Sequence, residues 1–159
     1  PDDDPTRIDH GTFCYKAVQE GLIDVARSAH IGIRTVVDDN LGIPIYDARA
    51  ITEQGPAAIA RAVKARVGAT PCYLSFDIDA LDPAFAPGTG TPVWGGLSSA
   101  QAAILLRDLA GIPMVGGDVV EVAPPFDPSG ITAVAAAHVA MDLLCLWGYG
   151  SNDHPDHSI

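Results

Sequence analysis

Hydrophobic and polar positions along the chain follow two periods, and these predict alternating strands and helices. Nearly continuous apolar runs predict strands, and apolar residues three or four positions apart predict helices. The strands are predicted at 28–36, 71–79 and 112–122, with a further short extended piece in "IPIYDA". The helices are predicted at 11–21, 55–68, 97–111 and 131–148. This order predicts an α/β fold, with a parallel sheet flanked by helices on both faces in three layers.

Local signals define several helix ends. Pro56 suits a first helical position, and Ile59, Val63 and Val67 recur every fourth residue, as an inward-facing stripe does. Ser98 and Gln101 have the spacing of a capping box. These features predict the starts of two amphipathic helices.

The boundaries of the domain follow from its two ends. The apolar run "ITAVAAAHVAMDLLCLWG" has nearly membrane-spanning length, but it carries His138 and Asp142, which favours a packed helix. We expect one domain over residues 1–148 and a polar, disordered tail over 149–159. The chain opens at Pro1 in "PDDDPTRIDHGT", which is typical of the middle of a loop. We therefore expect the C-terminal part of a longer chain.

Composition and charge indicate which classes of molecule the protein can bind. The 159 residues are 48% hydrophobic and 18% charged, with a formal net charge of −11. Such a chain is expected to repel nucleic acid and anionic membranes and to suit a metal or a small cationic molecule. The three cysteines are odd in number and lie in apolar contexts, and no signal peptide is visible. We expect buried free thiols and a cytoplasmic location.

A pair of carboxylates, Asp77 and Asp79, ends the predicted strand "YLSFDID". On a regular strand they point the same way, with Cα atoms roughly 6–7 Å apart, and two such charges favour a hard divalent cation between them. One alternative is that one aspartate caps the loop and the other is solvated. A second is a phosphatase of the haloacid-dehalogenase type, although Ala80 and Leu81 follow where that class continues with Gly-Thr.

The segment "SFDIDALDPAFAPGTGTPVWGG" strongly resembles the characteristic segment of the ureohydrolases, the family of arginases and agmatinases. "DHGTFCYKAVQEGLID", "HIGIRT" and "GGDVVEVAPPFD" resemble bacterial agmatinases in the same order. The resemblance covers about residues 7 to 148. It implies an arginase-type fold, two Mn²⁺ ions that serve hydrolysis of a guanidinium group, and a homo-oligomer, either a trimer or a hexamer.

The resemblance also implies roles for individual residues. Asp77 would bridge both metals and Asp79 would bind one of them. His10 would transfer protons, and Glu121 would hold the substrate guanidinium. Thr91 is a further candidate for substrate binding, with shaping of the loop as the alternative.

The chemistry is consistent with these roles. A guanidinium is a poor electrophile, and two metals lower the pKa of a bridging water so that hydroxide is delivered at neutral pH. A carboxylate orients the planar cation through paired hydrogen bonds, and an imidazole supplies a proton to the leaving amine.

Several departures limit the resemblance. The G-G-D-H and D-A-H-x-D segments, which supply most metal ligands in the family, do not occur in this chain, and Gly130 stands where many relatives carry glutamate. "TRIDHGT" lacks the S-G-N stretch with which arginases recognise an amino acid, which favours agmatine as substrate. Guanidinobutyrate and related guanidino acids stay open, as does a non-catalytic remnant.

Overall fold

The structure is a computed structural model, and it describes residues 8–37 and 39–150. The helices are α1 (Phe13–Gln19), α2 (Ala48–Gln54), α3 (Pro56–Val67), α4 (Ser99–Asp108) and α5 (Ile131–Gly150). The strands are β1 (His30–Ile31), β2 (Ile45–Tyr46), β3 (Cys72–Asp77) and β4 (Met114–Val120). Short 3-10 turns lie at Val25–Arg27, Ile78–Ala80 and Pro124–Phe126.

The predicted parallel pairing is confirmed, but the described strands form two separate sheets. β1 pairs with β2, and β3 pairs with β4, both in parallel. Leu74 and Phe76 of β3 belong to the apolar cluster that also contains the helices. Tyr73 and Ser75 alternate with them and are exposed, so the second face of this sheet is open in the described part of the chain.

The helix signals in the sequence are realised at α3 and α4. Ile59, Val63 and Val67 are buried, and Pro56 is the first residue of α3. Ser98 caps α4 through a capping box with Gln101, in which each side chain accepts a hydrogen bond from the other residue's backbone N–H. These contacts fix α4 where it packs against both α3 and α5.

The last helix packs into the domain on one face only. α5 could span a membrane by length and composition, but Val139, Leu143 and Leu146 are buried in the common core and the helix packs against β4. The predicted packed helix is therefore confirmed. It ends at Gly150, two residues beyond the boundary predicted at 148. The rest of the predicted tail, 151–159, lies outside the described residues.

The cysteines differ in part from their prediction. All three are free thiols, but Cys14 and Cys72 are only half-buried and Cys145 is exposed on α5. Cys145 was predicted to be buried because its neighbours in the sequence are apolar. Only one face of α5 packs into the core, however, and Cys145 lies on the other face.

Candidate functional site

The two aspartates of the "DID" segment are positioned by the end of β3, although not as the strand period predicted. β3 ends at Asp77, and Ile78–Ala80 form a 3-10 turn, so Asp79 lies beyond the strand. The expectation that both side chains project from one strand face is therefore wrong. The turn is held by the Asp77 carboxylate, which accepts a hydrogen bond of 3.0 Å from the backbone N–H of Asp79, and by Ile78, which is fully buried.

The carboxyl group of Asp77 lies in an environment that disfavours its charge. Its pKa is raised to about 6, and the largest cause is desolvation by burial. The N–H of Asp79 opposes this rise, whereas the negative charges of Asp79 and Glu121 add to it. The charges of Asp79 and Glu121 thus disfavour ionisation of Asp77, and a bound cation would relieve this repulsion.

The loop that follows the turn returns to Asp79. The hydroxyl of Thr91 donates a hydrogen bond of 3.0 Å to Oδ2 of Asp79. Thr91 is an exposed residue. Its predicted contact with substrate stays a prediction, since the contact that the structure gives is to Asp79.

Glu121 lies directly after β4, and the structure brings it to His10. The imidazole Nδ1 lies 3.5 Å from Oε1 of Glu121, where 34% of the glutamate side chain and 86% of the histidine side chain are exposed. Glu121 has a φ of +64°, in the left-handed region that side-chain-bearing residues rarely adopt. Such a backbone costs about 1–3 kcal/mol, and here it lies directly after the end of β4.

Two further acids near the site, Asp82 in the loop and Asp118 on β4, accept hydrogen bonds from their neighbours. Asp82 accepts hydrogen bonds from the N–H groups of Ala84, Gly95 and Gly96. Asp118 accepts a hydrogen bond of 3.0 Å from the hydroxyl of Tyr73. Asp82 thus organises the backbone of the loop, and Asp118 links β4 to β3.

The base of the loop is fixed to the start of α5. The hydroxyl of Thr132 accepts a hydrogen bond of 2.8 Å from the N–H of Gly88. The buried carboxylate of Asp127 accepts hydrogen bonds from the N–H groups of Thr132 and Ala133. The loop that carries Thr91 is therefore tied to the core helix that packs under β4.

Arg34 is a residue of the site that the sequence did not single out. Its guanidinium donates hydrogen bonds to the carbonyl oxygens of Asp79 and Val93, on either side of Thr91. The sequence signal for it was its place in the segment "HIGIRT", which resembles bacterial agmatinases. An open cleft of about 340 Å³ beside Arg34 is lined by Ile33, Thr35, Val37, Ile45 and Asp47, and none of the predicted site residues lines it.

The donors suit a hard divalent cation in part. Asp77 and Asp79 offer carboxylate oxygens, which Mn²⁺ and Mg²⁺ prefer. Over residues 8–37 and 39–150, however, no group of three or more His, Cys, Asp or Glu side chains is placed to hold a metal ion. The two carboxylates therefore fit a portion of a metal coordination shell, and further ligands are needed to complete it.

Comparisons with known proteins find relatives over most of this chain. The family model described as "Arginase family" matches residues 1–145. An agmatinase of Chromobacterium violaceum is 53% identical over 92% of this chain and 45% of its own length. A crystal structure of a hypothetical agmatinase from Burkholderia thailandensis has a TM-score of 0.88 at 59% identity, covering 92% of this chain and 47% of that one.

A further solved structure, the proclavaminate amidino hydrolase of Streptomyces clavuligerus, has a TM-score of 0.84 at 40% identity, over 89% of this chain and 48% of that one. These likenesses confirm the predicted α/β arginase-type fold. The chain spans about half the length of the relatives that it matches.

Proposed function

Because the chain belongs to the arginase family, we propose that the whole protein is a ureohydrolase that uses manganese to convert agmatine to putrescine and urea. One observation of the structure carries the proposal. Asp77 ends β3 and pairs with Val120 at the end of β4, so Glu121 directly follows the residue opposite Asp77. The ring of His10 lies 3.5 Å from Glu121. The carboxyl ends of parallel strands are where α/β folds place their chemistry.

Asp77 and Asp79 are proposed to be ligands of the Mn²⁺ ions, and further ligands would complete their coordination. A bound metal pair supplies hydroxide at neutral pH by lowering the pKa of water. The raised pKa of Asp77 fits a group whose charge requires a cation beside it.

Glu121 and His10 are proposed to serve the substrate. A carboxylate that is one-third exposed can pair with the planar guanidinium through two parallel hydrogen bonds. The imidazole, 3.5 Å away, is in reach of the same group and can relay a proton to the departing amine. Thr91 is proposed to add a hydroxyl contact at the mouth of the site.

Agmatine is favoured as the substrate by two observations. The agmatinase of Chromobacterium violaceum is 53% identical, and the segment before His10 lacks the stretch with which arginases recognise the amino acid end of arginine. An acidic protein also attracts a dication. A second candidate is another guanidino compound, such as guanidinobutyrate, since the proclavaminate amidino hydrolase is 40% identical.

The remaining parts of the proposal concern the whole protein in the cell. We propose a cytoplasmic homo-oligomer, trimeric or hexameric, that binds neither nucleic acid nor membrane. The net charge of −11 is consistent with a lack of affinity for those polyanions.

The substrate is tested by assaying urea release by the whole protein from agmatine, arginine and 4-guanidinobutyrate. We expect activity with agmatine that requires added manganese. A clear preference for arginine would overturn the choice of agmatine, and no urea from any of the three would overturn the proposed reaction.

The metal ligands are tested by Asp77→Ala and Asp79→Ala, with Asp108→Ala as the control. Asp108 is an exposed acid at the end of α4. We expect bound manganese, measured by elemental analysis, to fall in the first two variants and to stay unchanged in the third. Full metal content in both Asp77→Ala and Asp79→Ala would contradict their role.

A further inference from the structure

Arg34 joins the 3-10 turn that contains Asp79 to the loop segment that contains Val93. Its Nε and Nη2 donate hydrogen bonds of 2.8 and 2.6 Å to the carbonyl oxygen of Val93. Nη2 also donates a hydrogen bond of 2.5 Å to the carbonyl oxygen of Asp79 and approaches that of Leu81 at 3.5 Å. The side chain is half-buried, so these carbonyls are partly withdrawn from water and depend on it as a donor.

The two main acceptors enclose the contact between Thr91 and Asp79. Asp79 accepts at its backbone from Arg34 and at its carboxylate from Thr91, which lies 12 residues further along the chain. Val93 follows Thr91 by two residues and is held by the same guanidinium. Arg34 thus holds the two parts of this segment together where the hydroxyl of Thr91 reaches the carboxylate of Asp79.

We infer that Arg34 is a positioning residue that orients the Asp79 carboxylate for a divalent metal. The inference rests on the proposed function, in which Asp79 binds manganese. The hydrogen bonds of the Arg34 guanidinium go to main-chain carbonyl oxygens. It acts by fixing the main chain of Asp79 and the position of Thr91, which together leave the aspartate side chain one orientation.

The geometry requires arginine in particular. A guanidinium presents several N–H donors in a rigid plane, and two of them converge on the Val93 oxygen while one is shared with Asp79. A lysine keeps the positive charge but carries a single ammonium on a flexible stem. It cannot hold the carbonyl oxygens of Asp79 and Val93 at fixed positions relative to each other.

The chain offers a matched control at Arg66. Its Nε donates a hydrogen bond of 2.6 Å to the carbonyl oxygen of Ser28, and its Nη2 one of 2.9 Å to that of Val25. Arg66 therefore clamps two main-chain carbonyls as Arg34 does, but those carbonyls belong to no candidate ligand. A purely structural role for Arg34 predicts that Arg34→Lys and Arg66→Lys behave alike.

The test compares these two variants in the whole protein. Manganese affinity is measured by electron paramagnetic resonance of the free ion, and folding by thermal unfolding of the metal-free protein. We expect Arg34→Lys to weaken manganese binding about 10- to 100-fold, the usual effect of losing a group that orients a metal ligand, while Arg66→Lys binds as the wild type does. Equal affinities in the two variants, both folded, would overturn the inference.

The same measurement separates the inference from the proposed function. Wild-type protein that binds no manganese and releases no urea contradicts the proposed function. Wild-type protein that does both, with an Arg34→Lys variant of unchanged affinity, contradicts only the role of Arg34.

A second variant keeps the test decisive if Arg34→Lys does not fold. Thr91→Val removes the hydroxyl that Arg34 is inferred to hold against Asp79, and it too must weaken manganese binding. Where both variants fold, the double variant should lose less affinity than the sum of the single losses, because both act on one contact. Full affinity in Thr91→Val, or strict additivity, would count against the inference.

Discussion

The imidazole of His10 lies 3.5 Å from the carboxylate of Glu121, although 111 residues separate them in the chain. Glu121→Gln keeps the shape of this side chain and removes its charge. We expect the variant to retain its metal and to bind the substrate guanidinium less well. A hydrogen bond to a charged group is worth about 1.5–3 kcal/mol, and the neutral amide of glutamine loses that contribution. This corresponds to about a 10- to 100-fold fall in kcat/KM.

The control for Glu121→Gln is Glu53→Gln. Glu53 pairs with Arg49 on the exposed side of α2, so its loss should leave kcat/KM unchanged. Metal content and kcat/KM are measured on both variants. A Glu121→Gln protein stripped of manganese would show that this glutamate is a ligand and not a substrate contact.

Gly88 and Gly90 lie in one loop but differ in the space around them. A Cβ added at Gly88 would lie 2.4 Å from Cβ of Asp127 and 2.9 Å from Oγ1 of Thr132, whereas one at Gly90 meets nothing within 4 Å. We expect Gly88→Ala to lower the free energy of unfolding by about 1–3 kcal/mol through overpacking. Gly90→Ala should change it by less than about 0.5 kcal/mol. Denaturant unfolding checks both, and equal losses would contradict the close approach.

Asp127 should make the stability of the domain sensitive to acid. Burial raises the pKa of this carboxyl, but hydrogen bonds from Ala133, Thr132 and Ile131 outweigh it, and the pKa lies below its ordinary value of 3.8. A carboxyl whose pKa is lower in the folded state stabilises the fold above its ordinary pKa. That contribution is lost as the pH falls through the lower, folded value.

Asp127→Asn removes this titration. We expect the variant to be less stable than the wild type at about pH 6, and the difference to shrink as the pH falls below about 4. The free energy of unfolding, measured in urea across this range, gives the comparison. A difference that stays constant with pH would show that the charge of Asp127 contributes nothing.

Local signals in the sequence predicted most elements, because they depend on neighbouring residues. The capping box of Ser98 and Gln101 and the stripe through Val63 are of this kind. α2 was missed, although Asp47 caps it and Ile51 is fully buried. The helix has only seven residues. That is too short for a helical period of apolar residues to be recognised beside the extended segment that precedes it.

The sequence singled out candidate residues of the site but not their contacts. Asp77, Asp79, Glu121 and His10 came from motifs, yet the period of a strand could not show that β3 ends before Asp79. The left-handed backbone of Glu121 and the reach of Arg34 depend on tertiary packing, which no local pattern encodes.

The open surfaces of this domain predict the behaviour of residues 1–159 produced alone. Tyr73 on the sheet is 62% exposed, and Met141, Leu144 and Trp147 on α5 are each 50% exposed or more. Parallel sheets are normally covered on both faces, whereas within residues 8–37 and 39–150 β3 and β4 form a sheet of two strands with one face open. Exposed apolar faces and unpaired strand edges favour association.

We therefore expect residues 1–159 alone to self-associate and to release no urea, even with excess manganese. Two carboxylates leave most of a cation's coordination to water, so metal binding should be weak. Light scattering, bound-metal analysis and a urea assay check the three expectations, with the whole protein as the control. A monomer that binds two ions per chain and turns over steadily would show that residues 1–159 carry a complete site, and that the ligands sought beyond Asp77 and Asp79 lie within them.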